Sequence, residues 1–186
     1  MAKIVSELIL TMDGYAKGTQ SPAYYGFYGP EFAAWLKTKN SQPYQLIIGR
    51  KTYELFSGMT KNSQDESYKK TVETKGWIYS KTLEKVNWPN LELIQSDVCE
   101  HVRNLKETTT DEIRTIGSLS LVRQLLNAGL VDILRLIICP LVLPKTGIEH
   151  LFTDLSDMQF ELLNHKILDR HIVILDYQPL GPPPSR

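Results

Sequence analysis

The stretch Gln45-Leu-Ile-Ile-Gly-Arg-Lys-Thr-Tyr-Glu54 passes from a short apolar run into a basic, hydroxyl-bearing segment across one glycine. Residues 45–48 read as a buried strand, and Gly49 to Phe56 as a strand-to-helix passage. A chain that turns from strand to helix here points to an alternating α/β fold. A helix start exposes unpaired amides and a partial positive charge, so it attracts phosphate. Arg50, Lys51 and Thr52 would add charge-assisted hydrogen bonds, each roughly 1.5–3 kcal/mol when well formed. The same residues serve equally as a plain strand-to-helix turn with solvated charges.

On the N-terminal side, Lys3 to Thr11 reads as a first strand. Met12-Asp13-Gly14-Tyr15 opens a glycine-punctuated loop that runs to Gly29. Pro30 suits the first position of a helix, and Phe32, Trp35 and Leu36 recur at helical spacing. Toward the C-terminus, the polar stretch Ser57 to Lys75 shows no clear period and reads as a long loop with at most a helical turn. Trp77 to Ser80 and Leu91 to Gln95 read as strands. Asp97 and Glu100 form a capping-box pattern ahead of Val98, Val102 and Leu105. After a strand at Glu112 to Ile116, Leu121, Val122, Leu125 and Leu126 mark a helix stopped by Gly129. Val131 to Cys139 is nearly continuous apolar, as in a strand covered on both faces. Gln159 to Tyr177 reads as two long strands meeting near Asp169-Arg170. The expectation is an α/β domain over residues 1–178: a mainly parallel central sheet, helices on both faces and a C-terminal antiparallel hairpin. Residues 179–186 read as a frayed, proline-rich tail.

Two more junctions resemble the first in form. Tyr79-Ser80-Lys81-Thr82 follows a strand and sets a cation between hydroxyls, a pattern suited either to a phosphate monoester or to a solvated strand end. Ile116-Gly117-Ser118-Leu119-Ser120 joins a strand to a helix. Glycine there permits close approach to a pyrophosphate, while Ser118 or Ser120 would equally serve as a helix cap. No G-x-G-x-x-G occurs, so this is not the dinucleotide fingerprint of a Rossmann fold. The aromatic loop Tyr24-Tyr25-Gly26-Phe27-Tyr28 can stack on a flat heterocycle or cover an edge of the core.

Lys plus Arg and Asp plus Glu both number 21. A nucleic-acid binder carries a basic excess or stripe, so nucleic acid is not expected as a partner. No apolar run approaches the roughly 18 residues of a membrane span, and Glu7 falls where a signal peptide needs apolar residues. The expectation is therefore a soluble, cytoplasmic protein without membrane contact. Cys99 and Cys139 lie in unlike segments and read as reduced thiols. The histidines (His101, His150, His165, His171) show no metal-site spacing, so no metal is expected.

In order along the chain, Asp13-Gly14, Ile48-Gly-Arg-Lys-Thr-Tyr-Glu54, Ser80-Lys-Thr82 and Ile116-Gly-Ser118 resemble the dihydrofolate-reductase-like family. The resemblance is nearest to the reductase domain of the riboflavin-biosynthesis deaminase-reductase (the RibD C-terminal domain) and its stand-alone bacterial relatives. Gly129-Leu-Val-Asp132, Ile138-Cys-Pro140 and Leu151-Phe152 look like that subfamily's closing segment, and the likeness spans Ile4 to Tyr177. It implies a three-layer α/β fold and an NADPH-dependent reductase acting on a small heterocyclic or pyrimidine-like substrate. Gly49, Arg50, Lys51 and Thr52 would meet the cofactor's phosphates, and Ser80 and Lys81 the 2′-phosphate. Gly117, Ser118 and Leu119 would lie against the pyrophosphate and nicotinamide, and the Asp13 to Gly18 loop would border the substrate. The resemblance also implies a homodimer.

The chain departs from the family in places. Ser118 stands where relatives carry a second glycine, and Leu143-Pro-Lys-Thr-Gly147 replaces a Leu-Gly-x-Gly turn. Phe32 occupies the position of the pterin-binding carboxylate of true dihydrofolate reductases, with Glu31 one residue earlier. Asp13 and Glu31 are the candidate catalytic acids, and each also suits a surface salt bridge or a loop-stabilising contact. A non-catalytic nucleotide-binding or regulatory protein that kept the fold is the alternative function.

Overall fold

The computed structural model describes residues 1–20, 26–60 and 66–184, with backbone alone at 59–60 and 66–68. In chain order its elements are β1 (Ile4–Thr11), β2 (Tyr15–Gly18), α1 (Pro30–Ser41), β3 (Gln45–Gly49), α2 (Arg50–Thr60), α3 (Glu66–Glu73), β4 (Gly76–Tyr79) and β5 (Leu91–Ile94). There follow α4 (Val98–Thr108), β6 (Ile113–Ile116), α5 (Leu119–Asn127), β7 (Ile133–Cys139), β8 (Gly147–His150), β9 (Gln159–Leu168) and β10 (Ile172–Gly181). Eight strands form one sheet in the order β5-β4-β3-β6-β1-β7-β10-β9. The first six are parallel, while β10 runs antiparallel to β7 and β9 antiparallel to β10.

Apolar patterning places the layers. Alternate residues of the central strands (Ile4, Leu8 and Leu10 of β1, Leu134 and Leu136 of β7) bury against Val98, Val102 and Leu105 of α4 and the apolar stripe of α5. The opposite face carries Leu46, Ile48 and Ile78 beneath Tyr53 and Trp88. Farther along, it carries Ile137, Ile172 and Ile174 beneath Phe32 of α1. The near-continuous apolar run of β7 is thus covered on both faces, as a parallel interior strand requires.

The closing hairpin turns tightly. Asp169 (φ +51°) and Arg170 (φ +63°) are both left-handed, and His171 N donates to Leu168 O at 3.1 Å. A β-turn of this hand needs positive φ at both central residues, which Asp tolerates better than most residues. Asp169 also reaches across the molecule, accepting hydrogen bonds from Glu31 N (3.0 Å) and Phe32 N (2.9 Å). These are first-turn amides of α1, whose own N-cap, Gly29, has no side chain to offer them. A Cβ at Gly29 would overlap the Asp169 carboxylate, so the glycine makes room for a cap supplied by the hairpin.

Three expectations need correction. The stretch 57–75 is not mainly loop: α2 continues to Thr60 and α3 occupies Glu66–Glu73. Among the described side chains of α3, Thr71 is buried and Val72 packs inward, and the segment's sequence shows no clear apolar period. The loop from Met12 to Gly29 contains β2, which pairs with β8 in a small second sheet. Both strands are four residues long and lack hydrophobic alternation. Finally, strand β10 runs to Gly181, with Pro179 opposite Phe160. Pairing of β10 with β7 has ended at Tyr177, so the missing proline N–H leaves no ladder bond unmade on that side. Tyr24 and Tyr25 of the aromatic loop lie outside the described residues. Phe27 and Tyr28 pack on His171 and Phe32.

Beneath the C-terminal half of α1 lies a set of buried charges. Lys39 Nζ bonds Glu7 Oε1, with both side chains only 9% exposed. Arg135 makes a two-pronged contact with Asp176 at 2.7 and 2.9 Å and approaches the second oxygen of Glu7 at 3.6 Å. Removing one partner of a buried pair leaves an uncompensated charge, typically a loss of about 3–5 kcal/mol. Lys39→Met should therefore lower unfolding free energy by about 3 kcal/mol in denaturant titrations, Arg135 relieving part of the loss. Adding Glu7→Gln to it should recover stability; a double variant no better than Lys39→Met would refute the pairing.

Candidate functional site

The three strand ends singled out by sequence come together. Gly49 closes β3 and Arg50 opens α2 directly, on one side of the sheet. Gly117 and Ser118 follow β6 and lead into α5 on the other side, and Tyr79-Ser80-Lys81 leaves β4 beside them. Parallel strands bring these ends to one edge, and a cleft of about 640 Å³ opens there. Gly49, Arg50, Lys51, Thr52, Ser80, Lys81, Ser118 and Leu119 all line it. This is where open α/β sheets bind ligands, outside the carboxyl ends of the strands. Gly117 sits behind the lining with φ +65°, a Cβ there falling 3.0 Å from Thr52 Oγ1.

The two helix starts touch. A Cβ at Gly49 would collide with the Ser118 hydroxyl, so glycine is required at that point. Ser118 itself adopts φ +60° and ψ 73° and makes no side-chain cap bond to α5. The expected serine cap is absent because the left-handed backbone turns the hydroxyl onto Gly49. The backbone therefore takes the shape that the missing second glycine would take, at a cost of roughly 1–2 kcal/mol for a residue with a Cβ.

The cations of the cleft differ in their freedom. Arg50 pairs loosely with Glu54 (3.6 Å), both about half exposed. Lys51 donates to Glu149 Oε1 at 2.8 Å, and Lys17 of β2 approaches the same oxygen at 3.6 Å. Lys81 is exposed and forms no ion pair among the described residues. Ser80 Oγ accepts from Thr82 N and Leu83 N at 3.2 and 3.0 Å, which builds the turn presenting Lys81.

Several lining residues escaped the sequence reading. Glu149 stands on β8 with φ +60°, and β8 itself was not foreseen. Burial raises its pKa, but the Lys51 hydrogen bond and the fields of Lys17 and Lys51 prevail and hold the carboxyl below its ordinary value. Arg123 of α5 donates to Thr153 O at 2.7 Å and lines the cleft from the far side. Tyr79 is held by His101 Nδ1 at 2.8 Å, a contact no local motif announces. The expected cap of α4 does form: Glu100 N donates to Asp97 Oδ1 at 2.9 Å, and Asp97 also lines the cleft.

The candidate acids lie outside the lining. Asp13 accepts from Thr11 Oγ1 (2.6 Å) and Leu143 N (2.8 Å), tying the loop after β1 to the segment before β8. Slight desolvation raises its pKa, but these hydrogen bonds and the field of His150 outweigh it, so the carboxyl sits below its usual range. Glu31 is exposed and accepts from Asp169 N at the hairpin turn. Both cysteines are free, and burial pushes the Cys139 thiol up to about 11. Among the described residues, no three His, Cys, Asp or Glu side chains gather as a metal site. Among the described residues, no helix is long and apolar enough to cross a membrane.

The sheet order, the closing hairpin and the cleft define a dihydrofolate-reductase-like α/β protein. The chain belongs to the RibD C-terminal domain family, whose profile matches residues 2–174. It is 25% identical over 183 residues to the uncharacterised protein YyaP of Bacillus subtilis, covering 94% of each chain. A pyrimidine reductase-like protein from Corynebacterium diphtheriae superposes with a TM-score of 0.67 at 13% identity, over 96% of this chain and 92% of that one. A diaminohydroxyphosphoribosylaminopyrimidine deaminase/5-amino-6-(5-phosphoribosylamino)uracil reductase from Thermotoga maritima gives 0.63 at 14%, over 96% of this chain and 56% of the other.

Two outcomes follow from this geometry. Ser118→Gly should relieve the left-handed strain and raise stability by about 1 kcal/mol, visible as a higher melting temperature; an unchanged or lower value would show that the serine is unstrained. A carboxyl with lowered folded pKa stabilises above its unfolded pKa, and that contribution fades as pH falls through the folded one. The stability difference between wild type and Glu149→Gln should therefore be present at neutral pH and shrink below the ordinary glutamate value of 4.5.

Proposed function

We propose that this chain is an NADPH-dependent reductase that delivers a hydride to a C=N or C=O of a small pyrimidine-like heterocycle. The carrying observation is the convergence of three separate strand ends, with two helix starts and Arg50, Lys51, Lys81 and Arg123, on a single cleft. Such a concentration of amides and cations suits an extended polyanion such as a dinucleotide's phosphates. The close packing of Gly49 on Ser118 and of Gly117 on Thr52 supports the fit, because it brings the starts of α2 and α5 together at the cleft. When bound, the nicotinamide supplies the hydride, while the protein supplies orientation and electrostatics.

In this reading the amides at the starts of α2 and α5 hold the pyrophosphate. Lys81, which has no ion pair among the described residues, holds the 2′-phosphate beside Ser80. Lys51 joins them by exchanging Glu149 for phosphate. In this reading Asp13 and Glu31 tie loops together, Asp13 through Thr11 and Leu143 and Glu31 through the backbone of Asp169. Solvent at the mouth of the cleft supplies the proton. Pyrimidine-like chemistry follows from the family and from the activity named for the Thermotoga relative; a riboflavin-pathway 5-amino-6-(5-phosphoribosylamino)uracil is the first substrate to try.

A second reading, a nucleotide-binding or regulatory protein without turnover, has one observation in its favour. The carboxylates lining the cleft are both engaged, Asp97 as the cap of α4 and Glu149 with lysines. Energy transfer from Trp35, Trp77 and Trp88 to reduced nicotinamide separates the cases. NADPH should bind at least roughly tenfold more tightly than NADH, a difference of about 1.4 kcal/mol. Lys81→Gln should remove most of that preference while leaving NADH affinity unchanged. Equal losses for both would refute the role of Lys81, and no binding of either would refute the reductase. Tight binding with no NADPH oxidation across pyrimidine-type acceptors would favour the second reading.

A further inference from the structure

Glu149 brings a carboxylate to the start of α2, inside a cleft that also takes in Gly49, Lys51, Ser118 and Leu119. Its Oε1 accepts from Lys51 Nζ at 2.8 Å and lies 3.6 Å from Lys17 Nζ. Lys51, the second residue of α2, is therefore already neutralised where a phosphate would meet it.

The fold fixes the backbone that presents this carboxylate. β8 pairs with β2, Tyr15 standing opposite His150 and Lys17 opposite Ile148. Just past the strand, Leu151 N donates to Gly14 O at 2.9 Å. Arg123 of α5 donates to His150 O at 3.4 Å and to Thr153 O at 2.7 Å, which anchors the chain on the C-terminal side of Glu149. Glu149 itself is left-handed, with φ +60°. That conformation is costly for a residue with a Cβ and persists where surrounding contacts impose it. With the strand held, the parts able to move are the side chains of Glu149 and Lys51, 32% and 72% exposed.

A carboxylate tethered within reach of its lysine is present whatever the solution holds. A phosphate must break that pair to use Lys51, and the displacement costs every such ligand the same factor in affinity. We propose that Glu149 is a resident competitor that keeps free phosphates and other single-point anions off the Lys51 side of the cleft, while admitting ligands with a second anchor at Ser80 and Lys81. A ligand already held at Lys81 brings its pyrophosphate to Lys51 as an intramolecular event, at high effective concentration. An anion with one point of attachment has nothing to offset the cost. This role rests on the proposed reading of the cleft as a phosphate site and gives that site its selection rule.

Calorimetric titration of the full chain with inorganic pyrophosphate, NADPH and adenosine 2′-monophosphate tests it. Glu149→Gln should tighten pyrophosphate and NADPH binding by about fivefold, the range of a partly exposed ion pair. Adenosine 2′-monophosphate, which reaches the Ser80–Lys81 side alone, should bind both forms equally. In a Lys51→Gln background the same change at 149 should gain less than about twofold, because no lysine is left there to release. Circular dichroism should match wild type for all variants. An unchanged pyrophosphate affinity in Glu149→Gln would overturn the proposal while leaving the reductase reading in place. A gain that persists without Lys51, or that extends equally to adenosine 2′-monophosphate, would show a general charge effect and overturn it too. Pyrophosphate responding as stated, with NADPH bound by neither form, would support the competitor and refute the reductase.

Discussion

A carboxylate in the middle of the central strand constrains much of this molecule. Glu7 is almost wholly buried on β1, and a buried charge must be matched or it destabilises the fold by several kcal/mol. The match comes from two directions, Lys39 at the end of α1 and Arg135 on β7, with Asp176 of β10 neutralising Arg135 in turn. Trp35 lies between the two cations, 5.0 Å from one and 5.7 Å from the other. Well-packed apolar residues can often replace such a set at no loss of stability. Its distinctive effect is positional, because α1, β7 and β10 are held to one mutual arrangement around β1.

The cleft follows from that arrangement at one remove. With β1 and β6 side by side, the chain leaving β6 passes next to the end of β3, and only a residue without a Cβ fits at position 49. Helices on opposite faces of the sheet then begin within contact of each other. The electrostatics are uneven: exposed Lys81 stands at one end, while Lys51 is already partnered by Glu149. An anion arriving at Lys51 competes with a carboxylate on β8, whereas one arriving at Lys81 does not.

Periodicity and capping residues made most of the scaffold legible. The apolar run of β7, the stripe of α5 and the Asp97 cap each report on local burial or local hydrogen bonding, which sequence encodes directly. The strand-to-helix junctions were legible for the same reason, and their meeting in one cleft follows from parallel topology. What escaped was set by distant contacts. β2 and β8 are too short for a period and exist through each other. The sequence of α3 shows no clear apolar period, and Glu149 owes its position to an unforeseen strand with left-handed backbone. Asp13 and Glu31 were legible only as carboxylates near the expected site; their hydrogen bonds with Leu143 N and Asp169 N join segments far apart in sequence.

The Asp169 cap also bears on how the chain acquires its structure. The amides at the start of α1 wait for an acceptor 138 and 137 positions later in the chain. On a ribosome, that acceptor emerges after α1 to α5 have been made. Until then α1 has an open end, and Arg135 beside Glu7 still lacks Asp176, which is made later again, so the nascent chain cannot close this side of the sheet. Contacts so remote in sequence slow folding, since loop closure must precede their reward. Completion of this domain is thereby deferred until β9 and β10 are made, and chains cut short before that hairpin are left visibly unfinished to proteases and chaperones.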